Sequence, residues 1–337
     1  MQPQATWRTR GMRGGMRKGM RVRTFLKKGS DTSKNFYTWG MGLWFVRIFG
    51  GMQFVRIACL FFPLLSFYSQ VQEDFPMDKR MDGVLLASDY DGTLCQGGIS
   101  DEVRQAICRF RDAGGRFGVV SGRDYAGGYA MFRRENRFPF DFVLGLNGAI
   151  AFDASGRLLF GDVIHDPALM AALREFVFAH VATMVGFYTR YSALRFDSRY
   201  PNGHWSGTQM EYSPHDRIGA FTEFCAANAI CETEDEAIAG TAALRKAFPM
   251  LNPMRNGRCI DIPPAGMDKG AGIARYAARF AIDHDRIFTA GDNDNDVSML
   301  SRYHGFAMTV SSPDARAAAV CQADDIADVI AQIEAML

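Results

Sequence analysis

The stretch SDYDGTL, residues 88–94, determines how the rest of this sequence is interpreted. The apolar residues 84–87 precede it, and a short apolar run bounded by polar residues is typical of a buried strand. Asp89 and Asp91 stand two residues apart, so their side chains point to the same side of an extended segment. Like charges this close oppose each other's ionisation. The pattern therefore predicts that a cation joins the two carboxylates at the end of the strand.

Strands and helices alternate around this stretch and again near the end of the chain. This alternation, with short connections, predicts an α/β fold with a doubly wound, Rossmann-like parallel sheet. Such sheets bind ligands at the carboxyl ends of their strands, where Asp89, Ser121 and Asn147 all lie. The predicted strands cover 84–88, 117–120, 142–146, 287–290 and 306–310, and the predicted helices cover 100–114, 124–137, 268–281 and 325–336.

Residues 153–260 break this alternation. They mix helical patterns at 167–182 and 215–228 with short strand-like runs such as 185–189, which predicts a separate α+β insertion. Some of its side chains are of the kinds that recognise phosphates or sugars, but a lone arginine or histidine is more commonly a surface or packing residue. These side chains are Arg190, Arg195, Arg199 and His204.

A second acidic cluster, GDNDND at 291–296, again follows a short apolar strand. Two acidic clusters at two strand ends predict a metal site with an open face. Mg²⁺ suits this site, because the cation typically takes one or two carboxylates together with the phosphate oxygens of a substrate. Asp294, inside the cluster, is interpreted as an exposed acid at a helix start, where the helix dipole favours a negative charge.

The residues near the two acidic clusters suit phosphoryl transfer. A carboxylate such as Asp89 can attack phosphorus and form an aspartyl-phosphate. Asp91 can protonate the leaving oxygen and then activate water. The Ser121 hydroxyl, nearby backbone N–H groups and the positive charge of Lys269 can neutralise the equatorial phosphoryl oxygens.

In this order and context the motifs resemble those of the haloacid dehalogenase (HAD) superfamily of phosphatases. The resemblance covers residues 82–337. The insertion falls between the second and third motifs, and Asn147-Gly148-Ala149 follows the third strand, so the chain resembles the Cof-like, type IIB members with a C2 cap. The four motifs are DYDGTL at 89–94, SGR at 121–123, the lysine of GMDKGAG at 269 and GDNDND at 291–296.

The resemblance implies roles for the residues of these motifs. Asp89 would be the nucleophile, and Asp91 would be the general acid and base. The metal-binding set for Mg²⁺ would be the Asp89 side chain, the Asp91 backbone carbonyl, Asp292 and, through the water shell, Asp296. The phosphate-binding set would be Ser121, Gly122, Lys269 and Asn295.

The predicted function is Mg²⁺-dependent hydrolysis of a small phosphate monoester, such as a sugar phosphate, through an aspartyl-phosphate. Two alternatives remain open. A phosphomutase would pass the phosphoryl group to a second hydroxyl, and a non-catalytic sensor would bind a phosphorylated ligand without needing a nucleophile. The predicted domains are a HAD core of residues 82–152 and 261–337 and a cap of residues 153–260.

The first eighty residues differ in composition from the remainder. They hold 14 of the 38 basic and 4 of the 37 acidic residues, so the remainder is mildly acidic, which argues against nucleic acid as a partner. The longest uncharged apolar run, 57–68, has 12 residues and is too short to span a bilayer. Residues 1–81 are therefore predicted to be disordered or outside the functional protein, with translation starting at Met77 or Met81. The alternatives are a signal or membrane anchor, and a short basic-aromatic tail that binds a membrane surface or nucleic acid.

The chain has 7 cysteines and no CxxC pair. An odd number without paired spacing argues against a disulfide framework or a zinc site. This pattern is typical of the reducing cytoplasm, which is the predicted location.

Overall fold

The structure is a computed structural model, and it describes residues 46–48, 51–53, 80–136, 138–205 and 211–337. The chain divides into two units, Met1–Gln72 and Glu73–Leu337. In the first unit, β1 (Val46–Ile48) pairs antiparallel with β2 (Gly51–Gln53). The predictions of disorder, of an anchor and of a basic tail otherwise fall on residues outside the described part of the chain.

The second unit holds the remaining described elements. The strands are β3 (Leu85–Ser88), β4 (Arg116–Val120), β5 (Phe142–Gly145), β6 (Ile150–Asp153), β7 (Leu158–Gly161), β8 (Met184–Tyr188), β9 (Ala193–Asp197), β10 (His204–Trp205), β11 (Glu211–Tyr212), β12 (Ala226–Ile230), β13 (Met254–Asn256), β14 (Cys259–Ile262), β15 (Ile287–Gly291), β16 (His304–Met308) and β17 (Cys321–Ala323). The helices are α1 (Asp101–Asp112), α2 (Pro167–His180), α3 (Glu234–Ala247), α4 (Lys269–Phe280), α5 (Val297–Leu300), α6 (Pro313–Ala318) and α7 (Ile326–Met336).

The large sheet has the strand order β17-β16-β15-β3-β4-β5-β6-β7 among the described residues. Neighbouring strands are parallel from β17 to β5, and β6 and β7 are added as antiparallel strands. β3 therefore lies in the interior of the sheet, between β15 and β4. The carboxyl ends of these three strands carry the first, second and fourth motifs, so the topology brings the motifs to one edge.

β3 shows that helices cover both faces of the large sheet. Leu86 packs in one apolar cluster with Ile107 of α1 and Ile330 of α7. Leu85, which points to the opposite face, packs in another cluster with Ile273 of α4. A mainly parallel sheet with helices on both faces is the predicted doubly wound, Rossmann-like arrangement, and this prediction is confirmed.

The helix ends that position the site follow from their capping residues. The Ser100 hydroxyl accepts a hydrogen bond from the N–H of Val103 at the start of α1, and the Asp268 carboxylate accepts one from Ala271 at the start of α4. Such side chains satisfy N–H groups that the first turn leaves without partners. Because Asp268 is the cap, α4 begins at Lys269, at the edge where the motifs meet.

A smaller sheet, the cap sheet, has the strand order β13-β14-β12-β8-β9 in the described part of the chain and is antiparallel throughout. Met170 and Leu173 of α2 and Leu244 of α3 pack on one face of it, against Phe187 and Ile260. Alternation along the strands leaves the other face for polar side chains.

Two of the predicted helices have a different structure. Residues 124–137 contain π-helical turns at Ala126–Ala130 and Phe132–Asn136, and the consecutive glycines at 127 and 128 weaken the preference for a regular α-helix. Residues 215–228 form a short 3₁₀ helix, His215–Ala220, and then enter β12. β12 pairs with a strand on each side, and these tertiary contacts outweigh the local helical pattern.

Residues 158–161 form β7 of the large sheet, and residues 259–262 form β14 of the cap sheet. The boundaries proposed from the sequence, with the cap at 153–260, remain a prediction of domain organisation. The β6–β7 hairpin extends the large sheet beyond residue 153 because β6 pairs with β5. Among the described residues, no helix combines the length and hydropathy needed to cross a bilayer.

Candidate active site

Asp89, Asp292 and Asp296 form an acidic cluster at the carboxyl ends of β3 and β15. Each offers a carboxylate oxygen, and these oxygens lie within 4.8 Å of one another. Ser88 pairs with Ala290 in the parallel ladder, so the residues that follow the two strands are neighbours. The structure thus brings together three of the four residues predicted to bind a metal.

Lys269 lies in the middle of this cluster and is completely buried. Its Nζ atom is 2.5 Å from Oδ1 of Asp89 and 2.5 Å from Oδ1 of Asp296. Burial raises the pKa of Asp89 to about 8, because the lowering by Lys269 is opposed by the further raising from Asp296 and Asp292. A buried carboxylate held beside a fixed cation is an arrangement in which the protein controls the charge of a reactive group.

Asp292 is positioned by Gly92 and Thr93, the two residues that follow Asp91 in the first motif. The Thr93 hydroxyl donates a hydrogen bond to Oδ1 of Asp292 over 2.7 Å. Gly92 has φ +85°, and a Cβ on it would lie 2.4 Å from Oδ2 of Asp292, so only glycine allows both the turn and the close approach. Burial raises the pKa of Asp292 to about 6, although the Thr93 hydrogen bond opposes the rise. The Gly-Thr pair of the first motif thus positions Asp292, which belongs to the fourth motif.

Asp91 is not a member of the acidic cluster. Arg123 donates to both of its carboxylate oxygens, over 2.7 and 2.8 Å, and the Asp91 side chain is 60% exposed. Asp89 and Asp91 therefore have separate cationic partners, Lys269 and Arg123. The sequence predicts one cation between the two carboxylates, whereas in the structure each of them contacts a different cationic side chain.

The remaining predicted phosphate-binding residues lie around a cavity of about 320 Å³. Ser121 is buried, and its hydroxyl accepts a hydrogen bond from the N–H of Arg123. Asn295 is also buried and donates to Oδ1 of Asn147 over 3.4 Å. Ser121, Gly122 and Asn295 line the cavity together with Asp89 and Asp91.

The sequence matches the family model of haloacid dehalogenase-like hydrolases over residues 86–332. This range covers most of the chain and includes all four motifs. The chain belongs to the haloacid dehalogenase-like hydrolase family. The prediction of a hydrolase of the HAD superfamily is confirmed.

Solved structures of similar fold include other proteins of the HAD superfamily. An HAD/Cof-like hydrolase of Plasmodium vivax is 21% identical, with a TM-score of 0.65, over 77% of this chain and 98% of that chain. A sugar phosphatase of HAD subclass IIB is 18% identical, with a TM-score of 0.61, over 75% of this chain and 98% of that chain. These likenesses confirm the predicted Cof-like, type IIB assignment at the level of the fold.

One relative of known activity matches a short part of the chain. A phosphoglycolate phosphatase of Pyrobaculum aerophilum is 38% identical over 64 residues, which are 19% of this chain and 28% of the relative. The chain therefore matches less than a third of that relative's length.

In this HAD protein the cap contacts the loop that carries Asp292 and Asp296. Arg255 of β13 forms an ion pair with Asp294, and Asn293 donates a hydrogen bond to Asn256 over 3.2 Å. The interpretation of Asp294 as an exposed acid is wrong, because its side chain is only 20% exposed and is bound by Arg255. Residues of the cap thus hold the acidic loop from the side opposite the sheet.

Other cap residues reach the second motif and the third strand. Arg195 lines the cavity and lies 3.6 Å from Asp124, and Asp261 accepts a hydrogen bond from Asn147 over 2.8 Å. Asn147 has φ 52°, a left-handed conformation that asparagine tolerates. Arg190 and Arg199 pair within the cap with Glu223 and Asp197, and the His204 side chain lies outside the described residues.

Some residues of the site escape the sequence analysis. Arg255 and Asp261 belong to no motif, and each lies far along the chain from its partner, Asp294 or Asn147. The Asn147-Gly148 pair is detectable as a signal, but its partner in the cap is not. Arg123 is visible as the last residue of the SGR motif, although its pairing with Asp91 is not.

Proposed function

We propose that this HAD hydrolase is a Mg²⁺-dependent phosphatase that cleaves a small phosphate monoester through an aspartyl-phosphate on Asp89. One observation carries this proposal: the buried Asp89, which accepts a hydrogen bond from Lys269, lines one cavity together with Ser121. A nucleophile, a fixed cation and a hydroxyl around one space are the groups that phosphoryl transfer requires.

The first step forms a bond from an Asp89 carboxylate oxygen to phosphorus and breaks the bond from phosphorus to the ester oxygen. Asp91 gives its proton to the departing alkoxide. In the second step Asp91 takes a proton from water, whose oxygen attacks phosphorus, and the Asp89 carboxylate leaves. Ser121, the N–H of Gly122 and Lys269 bind the phosphoryl oxygens, and Asn295 helps to orient them.

The acidic cluster fits the predicted Mg²⁺. Burial, and to a smaller extent the neighbouring carboxylates, raise the pKa values of Asp89 and Asp292. A divalent cation bound between them would stabilise their ionised forms. Asp89, Asp292 and the Asp91 backbone carbonyl would hold the ion, and Asp296 would support its water ligands. When bound, the ion supplies charge neutralisation for the transferred phosphoryl group.

The cavity and its lining favour a small, polar substrate such as a sugar phosphate. A volume of about 320 Å³ is suited to a small metabolite. Tyr188, Asn228 and Asn256 line it on the cap side and offer hydrogen bonds to hydroxyl groups. The division into a core and a cap that covers the substrate belongs to the same proposal, as does a cytoplasmic location, and no nucleic acid partner is expected.

The test is hydrolysis of p-nitrophenyl phosphate with Mg²⁺ by wild type and the Asp89→Asn variant. The variant should release no phosphate above background, because an amide oxygen does not displace the ester at useful rates. Asp216→Asn, which removes an exposed acid of the cap, serves as the matched control and should retain full activity. Circular dichroism shows whether both variants fold. Wild-type rates in folded Asp89→Asn protein would refute the mechanism.

A further inference from the structure

One face of the cap sheet carries a row of polar side chains. Arg195 lies opposite Gly186 in the strand ladder, Gly186 lies opposite Asn228, and Asn228 lies opposite Asp261. Residues directly opposite each other on neighbouring strands share a face. Their sequence neighbours, such as Phe187, point to the other face and into the apolar core of the cap. We call Arg195, Asn228 and Asp261 the polar row.

All three members of the polar row line the cavity above the second motif. Adjacent strands are about 5 Å apart, which places Asn228 one strand from Asp261 and two strands, about 10 Å, from Arg195. Gly186 leaves room in the middle, because a Cβ there would lie 2.5 Å from Oδ1 of Asn228. The Asn228 amide therefore extends over Gly186 on the neighbouring strand, and Asn228 and Asp261 both line the cavity.

Asp261 is the member of the row that lies over the second motif. Its Oδ2 atom would be 3.0 Å from a Cβ on Gly122, which follows Ser121. The same oxygen accepts the hydrogen bond from Asn147. A phosphoryl group bound at Ser121 and Gly122 would thus place the first carbons of its leaving group beside Asp261 and Asn228.

The charges around the cavity are unevenly compensated. Arg123 is paired with Asp91, and Arg195 lies within ion-pair distance of Asp124. Asp261, by contrast, has no ion-pair partner among the residues that the structure describes, and Asn147 is its hydrogen-bond donor. The carboxylate therefore lines the cavity with one hydrogen-bond donor and no ion pair of its own among these residues.

We infer that Asp261 and Asn228 determine specificity by accepting leaving groups that carry hydroxyls and rejecting those that carry a carboxylate. This inference rests on the proposed phosphatase function. A hydroxyl donates to Asp261 and accepts from the Asn228 amide. A carboxylate in the same place meets a like charge in a partly desolvated space. Polyol phosphates are then substrates, whereas phosphoglycolate and phosphoglycerates are poor ones.

Two esters of equal carbon count test the inference. Glycerol 3-phosphate and 3-phosphoglycerate differ in one group, a primary alcohol in place of a carboxylate. Wild type should favour the alcohol in kcat/KM by about 100-fold or more, since like-charge contacts strongly suppress a wrong partner. Asp261→Asn, which keeps an oxygen to accept from Asn147, should reduce this ratio by about 10-fold. Asn228→Asp should raise the ratio, and the exposed-acid control Asp216→Asn should leave it unchanged.

The same pair of esters is also measured by equilibrium binding to the Asp89→Asn protein, with and without Asp261→Asn. Weaker binding of 3-phosphoglycerate that recovers with Asp261→Asn supports the inference, whether or not hydrolysis is observed. Equal binding and equal kcat/KM for the two esters would overturn it, as would a ratio that Asp261→Asn does not move. Hydrolysis of p-nitrophenyl phosphate in that case would leave the phosphatase proposal standing. A wild type that does not hydrolyse it would refute the phosphatase proposal, and the binding comparison would then decide the specificity inference by itself.

Discussion

Replacement of Lys269 by methionine should destabilise the metal-free protein and do so most strongly at alkaline pH. The change keeps an unbranched side chain that is one atom shorter, and it removes the charged Nζ atom that lies 2.5 Å from Asp89 and from Asp296. Asp296 retains hydrogen bonds from the N–H groups of Asp292 and Asn293, but Asp89 loses its cation. Removal of one partner from a buried ion pair typically costs about 3–5 kcal/mol.

The sign of the pH dependence follows from the proton bound to Asp89. Its pKa is already raised in the folded protein, and loss of Lys269 raises it further. The folded variant then binds more protons than the unfolded chain, whose aspartates titrate near pH 4, so its stability falls as the pH rises above that value. Asp89 of the wild type also stays protonated up to its pKa of about 8, so the destabilisation relative to wild type should grow above that pH. It should therefore be smaller at about pH 6 than at about pH 9.

Urea unfolding at both pH values, in the presence of a chelator, measures these differences. The control is Arg157→Met, which breaks the Arg157–Asp153 pair, where the arginine side chain is 73% exposed. That change should cost less than about 1 kcal/mol at either pH. If Lys269→Met is as stable as wild type at the higher pH, or loses more stability at the lower pH, Lys269 does not neutralise the acidic cluster.

Three further outcomes are expected. Chelation of divalent cations should abolish hydrolysis of p-nitrophenyl phosphate. Mg²⁺ should restore the hydrolysis better than Ca²⁺, because the coordination shell of Ca²⁺ is larger and needs more ligands. Equal restoration by the two ions would contradict the Mg²⁺ assignment. Arg255→Ala should weaken Mg²⁺ binding in calorimetry by about 3-fold or more because Asp294 loses its partner, whereas the exposed Arg258→Ala on the same turn should not. Burial raises the pKa of Asp261, so the ionised carboxylate lowers the stability of the folded protein above about pH 4. Asp261→Asn should therefore unfold at a higher temperature than wild type near pH 8. A lower unfolding temperature would contradict this.

The core of the fold and the acidic cluster were predictable because their signals are local. The four motifs follow short apolar strands, and parallel strands must bring their carboxyl ends to one edge. Once β3 and β15 are identified as neighbours, Asp89 and Asp292 have to be close together. The capping residues Ser100 and Asp268 likewise mark the starts of α1 and α4 in the sequence itself.

The cap and the partners of the acids were less predictable because they depend on contacts between distant parts of the chain. β12 has the composition of a helix and becomes a strand only through pairing on both sides. Asp91 and Asp294 each appear as unpaired acids until Arg123 and Arg255 are placed in space. A single sequence shows which residues carry charge, but it does not show which opposite charge each of them meets.

Arg255 contacts Asp294, and Asn256 contacts Asn293. The acidic loop therefore belongs to the large sheet through β15 and also touches the cap sheet through β13. An ion that orders this loop would also stabilise the position in which the cap sheet contacts it. Thermodynamic reciprocity then requires that a covered cavity bind the ion more tightly than an open one, by the same factor. Ion binding and closure of the cap over the substrate would thus be coupled through this loop, so that each would favour the other.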